Sequence, residues 1–381
     1  MKKYLYLSFI LLISLSATTC SDKENNSDER VSNNGNLIKA KGNSIQIDPG
    51  MLYSLGITPE QLIIDLKKAD IKTVHYFIVS AWDGSKDDNL FRNEYIKALQ
   101  ENDIGIWLMV LANCFYGNTS LPEKWKMELL TPYPGDIHFY SFHNDDFVNW
   151  QVERVKRIIK NHDFFMGIEF AESYFPEWKT IEINSFYGDV SPTAREKFTK
   201  EFLKIDRATL TFDEIRKNNE LYKKWQDFRV EAILNFNHKI KEAVKSSDPE
   251  MLFASWGMGI RNGTLGEIRE HFGLDMERLV KEVEPDIFFI QTASQDWLDP
   301  DLKSNYLDQY EYARKAIQEA NPKVKMAVQA DIASLSYQNP GVGVRLPDWW
   351  PEFMAHSAKL GYYTNTSYEY AFCKKQNLWV K

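Results

Sequence analysis

Short apolar runs alternate with longer amphipathic segments along most of this chain. Several of the short runs, such as FIVSA, IWLMVL and IFFIQT, are almost continuously apolar. A strand covered on both faces has this pattern, as in a parallel sheet. The predicted strands are residues 44–47, 73–80, 105–111, 165–171, 251–255, 286–291, 325–330 and 361–367.

The segments between these runs carry helical signals. Thr58 to Gln61 reads as a capping box with proline at the first helical position. The residues that follow place apolar side chains three and four positions apart, which is the period of an amphipathic helix. The same period predicts helices over residues 145–161, 220–244, 276–283 and 305–320.

Eight strand-like runs, each followed by a helix, predict a closed (β/α)8 barrel of the α/β class, the TIM-barrel architecture. The usual length is about 250 residues, so residues 44–381 must hold insertions, which we place at residues 114–142 and 176–213. These segments follow the third and fourth runs. An open doubly wound sheet is the alternative, but the glycine-rich turn that it uses for nucleotides does not follow the first run.

The N-terminus is typical of an exported protein. Two lysines precede an apolar run over residues 5–15, which is short for a bilayer crossing of about 20 residues, and small residues lead to Cys20. This is a secretory signal peptide. It resembles a bacterial lipobox, which implies cleavage before Cys20 and lipidation of its thiol. Plain secretion with an incidental cysteine is the alternative.

We therefore predict a leader over residues 1–19 and a lipidated Cys20 that begins a polar tether over residues 20–43. The protein would be exported and anchored by its lipid to the bacterial outer membrane or cell surface, with the periplasmic face as an option. The lipid would be its only contact with a membrane. Cys114 and Cys373 remain as expected free thiols.

Composition narrows the function further. The chain has 46 Lys and Arg against 54 Asp and Glu, a net charge of −8, and lacks a basic block, so nucleic acid is not an expected partner. None of the seven histidines has the spacing of a catalytic zinc site, and we expect neither a metal nor a cofactor. Aromatic residues reach 14%, which fits a large core or flat surfaces for stacking against a ligand.

Polar and aromatic residues concentrate where the predicted strands end. In this fold the carboxyl ends of the strands form the active-site face. Carboxylates, amides and indole rings on one face suit a sugar, because the polar groups bind hydroxyls and the rings stack on apolar pyranose faces. The substrate-binding candidates are Trp82, Asn113, Trp256, Gln291, Trp297, Gln329 and Tyr368.

Glycoside cleavage needs two carboxyl groups that flank the bond. Glu172 is the candidate acid, because its aromatic neighbours could exclude water and raise its pKa. Asp331, at the end of the seventh run, is the candidate nucleophile or base. Glu169, Asp296 and Glu369 are held in reserve; Glu169 could instead be a buried carboxylate paired with a basic residue inside the barrel.

The run Ile168-Glu169-Phe170-Ala171-Glu172 resembles the fourth-strand signature of the large clan of retaining barrel glycoside hydrolases. The resemblance implies that Glu172 is the acid/base and that the nucleophile stands at the end of strand seven, where this chain has Asp331. Ala171 replaces the asparagine of the clan, and Asp331 replaces its glutamate. An inverting mechanism and a loss of activity therefore stay open.

Two further readings remain beside the hydrolase. The first is a catalytically inactive, glycan-binding surface lipoprotein with the same barrel. The second is a barrel enzyme for peptidoglycan or a uronic-acid chain, for which Arg229 or Arg261 would supply a basic subsite. Carboxyl groups about 5–5.5 Å apart would indicate retention, and about 6.5–9.5 Å would indicate inversion.

Overall fold

Eight parallel strands close into a barrel in the computed structural model of the protein. The structure describes residues 35–78, 91–117, 119–133, 135–176, 186–332, 345–346, 348–376 and 378–379. The leader, Cys20 and Trp82 lie outside these ranges, so export and lipidation stay sequence predictions. None of the helices within the ranges is both long enough and apolar enough to cross a membrane.

The predicted (β/α)8 barrel with insertions after its third and fourth strands is confirmed. Around the barrel the order is β1, β10, β9, β8, β7, β6, β3 and β2, and β1 closes the ring by pairing with both β2 and β10. The two remaining strands, β4 and β5, form an antiparallel pair in the first insertion. The strands are β1 Gly42–Ile47, β2 Ile71–Ile78, β3 Gly105–Leu111, β4 Cys114–Tyr116, β5 Ile137–Phe139, β6 Gly167–Ala171, β7 Leu252–Met258, β8 Ile287–Gln291, β9 Lys325–Asp331 and β10 Thr364–Tyr368.

Helices surround the barrel and fill the insertions. Thr58 caps the helix Pro59–Lys68 by accepting a hydrogen bond of 3.2 Å from the Gln61 backbone amide, as predicted. The Gln61 side chain donates to Asp65 Oδ1 at 3.0 Å, so only half of the predicted capping box is formed. The α-helices are Gly35–Lys39, Pro49–Ser54, Pro59–Lys68, Asn93–Glu101, Asp145–Asn161, Pro192–Lys197, Phe212–Lys217, Asn219–Ser247, Leu265–Phe272, Met276–Arg278, Ser294–Trp297, Glu311–Ala320, Trp349–Lys359 and Tyr370–Lys375. Glu123–Trp125 and Tyr306–Tyr310 are 3₁₀ turns, and Phe198–Phe202 and Leu279–Val283 are π-helical.

The first described residues belong to the folded body. Gly35–Lys39 is helical and β1 begins at Gly42, although the sequence analysis assigned residues 20–43 to a tether. Tyr363 donates a hydrogen bond of 2.6 Å from its hydroxyl to the Leu37 carbonyl, which fastens this helix to the chain just before β10. The ordered domain therefore includes residues that composition alone marked as polar linker.

A glycine makes room for a large ring inside the barrel. Trp107 of β3 pairs in register with Gly167 of β6, and its indole is almost wholly buried. A Cβ built on Gly167 would lie 2.6 Å from Trp107 Cζ3, well inside van der Waals contact. Because a barrel interior is close-packed, the ring and the glycine fit as a pair.

The two insertions are joined to each other. The Val190 amide donates to the Glu128 carbonyl at 2.9 Å, and the Leu130 amide donates to the Tyr187 carbonyl at 3.0 Å. Asp189 is fully buried between them and accepts hydrogen bonds from the amide of Glu128 at 3.1 Å and from the Ser141 hydroxyl. The second insertion also has its own apolar cluster, which packs on the first turns of the helix Asn219–Ser247.

Gly167→Ala should lower the free energy of unfolding by about 1–3 kcal/mol, because the new methyl group overpacks the Trp107 ring. Urea denaturation followed by circular dichroism measures this. Gly266→Ala is the control, because its Cβ would meet Thr264 Oγ1 at an ordinary 3.8 Å. Equal stability of the two variants would contradict this account of the packing.

Candidate active site

A cavity of about 280 Å³ opens where the barrel strands end. All eight barrel strands contribute lining residues, and the first insertion and the segments after β6 and β8 add three more. Its described lining residues are Gln46, Phe77, Met109, Tyr116, Ala171, Glu172, Trp256, Gln291, Trp297, Gln329, Asp331 and Tyr368.

Glu172 follows β6 directly and lines this cavity. Its backbone has a φ of 58°, in the left-handed region, which costs a residue with a side chain about 1–2 kcal/mol. Tyr116, carried in by β4, donates its hydroxyl to the carboxylate, 3.0 Å from Oε2 and 3.2 Å from Oε1. Burial raises the pKa of Glu172, and hydrogen bonds from Tyr116, Cys114 and Gln291 offset part of that rise. A raised pKa is what a general acid needs near neutral pH.

Asp331 brings a second carboxylate to the cavity. It is the last residue of β9 and is only 4% exposed. Its register partner is Tyr368 on β10, which also lines the cavity. Strands β7 and β8 lie between β6 and β9 in the barrel. Glu172 and Asp331 therefore reach one cavity from strands that are not neighbours, as two groups flanking a bond must.

Glu169 lies deeper in the barrel than Glu172 and is fully buried. Its Oε1 is 2.5 Å from His75 Nδ1, and its Oε2 accepts a hydrogen bond of 3.1 Å from Trp256 Nε1. The partner is thus a histidine rather than the Arg or Lys that the sequence analysis considered. Glu169 is not among the described residues that line the cavity, so its carboxyl group lies beneath the cavity rather than inside it.

Ser44 holds the imidazole of His75 from the side opposite Glu169. Ser44 donates its hydroxyl proton to the Asn365 carbonyl at 2.7 Å. Its oxygen can therefore accept from His75 Nε2, at 2.8 Å. Both ring nitrogens of His75 are thus engaged, one by Ser44 and the other by Glu169.

The other two reserve carboxylates have structural partners. Asp296 accepts a hydrogen bond from the Tyr310 hydroxyl, and its Oδ1 lies 2.9 Å from Arg261 Nε. Glu369 caps the helix Tyr370–Lys375 by accepting from the Phe372 amide at 2.6 Å, and burial raises its pKa to about 7. Both lie outside the described cavity lining: Glu369 caps a helix, and Asp296 joins two neighbouring side chains.

Some of the predicted substrate-binding residues line the cavity, and others do not. Asn113 is buried away from the cavity and donates to the backbone carbonyls of Tyr140 at 3.3 Å and Tyr174 at 3.2 Å. Five of the others meet in the cavity: Trp256, Gln291, Trp297, Gln329 and Tyr368.

Hydrogen bonds hold both tryptophans that line the cavity, and one of them also stacks on a neighbouring ring. Trp256 is 1% exposed, stacks on Phe289 with a centroid distance of 5.0 Å, and points its nitrogen down to Glu169. Trp297 is partly exposed and donates to Thr292 Oγ1 at 2.7 Å. Trp297 is thus the more accessible ring, while Trp256 forms part of the floor.

Sequence reasoning missed Gln46 and Tyr116. Gln46 could have been found by parity, because Ser44 and Gln46 are polar residues two apart in a strand whose alternate positions are apolar. Tyr116 had no such signal, since an insertion of irregular pattern places it beside Glu172. Phe77, Met109 and Ala171 line the cavity because they share the inward parity of their strands.

The two arginines considered for a basic subsite are engaged elsewhere. Arg229 is buried and donates to the carbonyls of Glu270 at 2.9 Å and His271 at 3.3 Å. Arg261 pairs with Asp296 and Asp299. Within the described ranges, no group of three or more acidic, histidine or cysteine side chains is arranged to hold a metal ion.

Solved structures with this barrel carry glycoside-hydrolase names. The glycoside hydrolase domain of PgaB from Bordetella bronchiseptica aligns with a TM-score of 0.62 and 14% identity, over 89% of this chain and 99% of its own. The catalytic domain of a β-amylase from Paenibacillus polymyxa aligns with a TM-score of 0.56 and 13% identity, over 87% and 92%. The common feature is the barrel.

A β-galactosidase from Marinomonas ef1 aligns with a TM-score of 0.57 and 9% identity over 86% of this chain, which spans about half (54%) of that longer protein. At such identities the likeness shows the fold. The comparison confirms the barrel fold that the resemblance of residues 168–172 implied. No family model and no curated protein sequence matches the chain.

Glu169→Ala should lower the free energy of unfolding by about 3–5 kcal/mol, because it removes one member of a buried pair. Glu169→Gln should cost less, since an amide can accept from Trp256 and donate to His75. Urea denaturation measures both, with Glu153→Ala as an exposed control expected to stay within about 0.5 kcal/mol of wild type. Equal losses for Ala and Gln would argue against the hydrogen-bonded pairing.

Proposed function

We propose that this protein is a glycoside hydrolase that cleaves an oligo- or polysaccharide with Glu172 and Asp331. The observation that carries the proposal is that these two carboxylates, from β6 and β9, line one cavity at the carboxyl ends of the strands. The structural neighbours, whose names describe a glycoside hydrolase domain, a β-amylase and a β-galactosidase, support the same reaction class.

Glu172 is the proposed general acid. Burial raises its pKa, which keeps a proton on the carboxyl group at higher pH than an exposed glutamate could. During cleavage this proton passes to the glycosidic oxygen as the bond to the anomeric carbon breaks. The left-handed backbone at Glu172 supports the assignment, since such conformations cluster at functional sites.

Asp331 is the proposed second group. In a retaining reaction it would attack the anomeric carbon, and water would later release the sugar with Glu172 acting as base. In an inverting reaction it would take a proton from the attacking water. Trp297 and Tyr368 would contact the sugar, and the chemistry needs neither a metal nor a cofactor.

Glu172→Gln and Asp331→Asn should each lower turnover by about 100-fold or more, because each removes a group that transfers protons or bonds to carbon in the transition state. Substrate affinity should persist, since both replacements are nearly isosteric. A screen of defined glycans with the purified protein, followed by proton NMR of the first product, measures turnover and its stereochemistry.

Glu123→Gln, at an exposed carboxylate outside the cavity, is the control and should leave turnover unchanged. Turnover that survives both cavity substitutions would refute the site assignment. Glycan binding without turnover in the wild-type protein would instead favour the inactive, glycan-binding reading.

Tyr116→Phe should move the descending, alkaline limb of the kcat/KM profile to higher pH. The Tyr116 hydroxyl donates to the ionised Glu172 and so lowers its pKa; without that donor the pKa rises and the acid stays protonated longer. Tyr53→Phe, at an exposed ring, should leave the limb in place. A limb that stays fixed or moves to lower pH in Tyr116→Phe would show that Glu172 is not the titrating acid.

A further inference from the structure

Three glutamines form an amide floor in the cavity. Gln46 comes from β1, Gln291 from β8 and Gln329 from β9, and their exposed fractions are 1%, 4% and 4%. Gln291 and Gln329 are register partners on adjacent strands. Three amides therefore converge on the same enclosed space that holds Glu172 and Asp331.

Each of these amides has a polar atom without a hydrogen-bond partner. The atoms are Gln46 Nε2, Gln291 Oε1 and Gln329 Oε1. A buried polar atom that has lost water and gained no partner lowers stability, so native proteins rarely keep one without a reason. Such atoms also occur elsewhere in the described residues, but these three belong to residues that line one cavity, where the hydroxyls of a bound molecule would supply the missing partners.

The floor offers neutral donors and acceptors only. Turning an amide by 180° exchanges its donor for its acceptor, but it adds no charge in either orientation. A sugar hydroxyl both donates and accepts, so it can satisfy the free oxygens and the free nitrogen alike. A carboxylate, sulfate or phosphate can only accept, so it could use the NH2 groups of the amides alone and would find no opposite charge on them.

The charges around the cavity point the same way. Its two ionisable carboxyl groups are Glu172 and Asp331, and none of the lining residues that the structure describes is Lys, Arg or His. Arg345, which interacts electrostatically with Asp331, is not one of the described lining residues, and it donates to the backbone carbonyls of Asp299 at 3.0 Å and Trp297 at 2.8 Å. An anionic sugar would thus meet two carboxyl groups and no Lys, Arg or His side chain among the described lining residues.

We infer that Gln46, Gln291 and Gln329 read the hydroxyls of an uncharged sugar, so that the substrate class is a neutral glycoside rather than a uronic-acid, sulfated or phosphorylated one. This inference rests on the proposed function and adds to it the charge of the sugar in the cavity. It assigns the three glutamines to specificity, while Glu172 and Asp331 carry the chemistry.

The test compares matched substrates that differ only at C6, a hexoside and the corresponding hexuronide with the same aglycone. The wild-type protein should prefer the neutral member by about 100-fold or more in kcat/KM, since like charges placed together oppose binding strongly. Gln291→Leu and Gln329→Leu should each lower kcat/KM on the neutral substrate by roughly 5- to 100-fold. The kcat/KM of each variant should fall much less on a deoxy analogue that lacks the hydroxyl to which that glutamine hydrogen-bonds.

Gln151→Leu is the matched control. Gln151 is also buried and its Oε1 also lacks a hydrogen-bond partner, but it is not one of the described cavity residues, and its amide nitrogen donates to the Leu111 and Ala112 carbonyls at 3.1 Å and 2.7 Å. The control should keep the wild-type ratio between parent and deoxy substrates. A ratio of kcat/KM values is the right readout, because a smaller folded fraction lowers both members equally and cancels.

Comparable turnover of hexuronide and hexoside would overturn the inference while leaving the glycosidase intact. So would glutamine variants that treat parent and deoxy substrates as the wild type does. Absence of turnover on every glycan class would instead remove the proposed function. The inference is then decided by calorimetric binding of the neutral and uronic monosaccharides: selective binding of the neutral sugar, lost in the Gln variants, supports it, and equal or no binding overturns it.

Discussion

A carboxyl group buried inside a parallel barrel needs polar partners beside it, and the pairing of Glu169 with His75 meets that requirement. Ser44 orients the imidazole from one side, and Trp256 donates to the carboxylate from the other. Ser44, His75, Glu169 and Trp256 therefore form a polar layer under the cavity in which each side chain has a hydrogen-bond partner. Because a partly satisfied buried network is more costly than an apolar core, these residues fix one arrangement of the floor. The orientation of Trp256 in the cavity follows directly from it.

The two carboxylates above that floor differ in how they are held. Asp331 ends a barrel strand, whereas Glu172 follows its strand in a left-handed conformation and takes its hydroxyl donor from an insertion. Tyr116 stands on a short antiparallel pair that belongs to no barrel strand. Thus a barrel strand alone positions Asp331, whereas Glu172 is positioned by the end of a barrel strand together with a residue of the first insertion. Two carboxyl groups with different surroundings are what an acid and its partner need, since environment sets which of them keeps its proton.

The strands and the inward-facing positions could be predicted from the sequence, because both depend on local patterns of apolar residues. The apolar runs located all eight barrel strands, because a strand buried on both faces must be apolar along its length, and parity placed Glu169 and Ala171 inward together. The sequence alone could not assign roles to polar residues at strand ends, because helix capping and catalysis use the same residue types. Asn113, Asp296 and Glu369 bond to backbone or to neighbouring side chains, and only the fold reveals those partners. Tyr116 was out of reach because long-range pairing of an insertion decides its position.

The buried Asp189 ties the second insertion to the first, and the first carries Tyr116 to Glu172. The surroundings of Glu172 therefore depend on two insertions as well as on the barrel. The two insertions can change in sequence together without altering a barrel strand. The hydrogen bonding around this carboxyl group can thus diverge between related chains while the barrel itself stays the same.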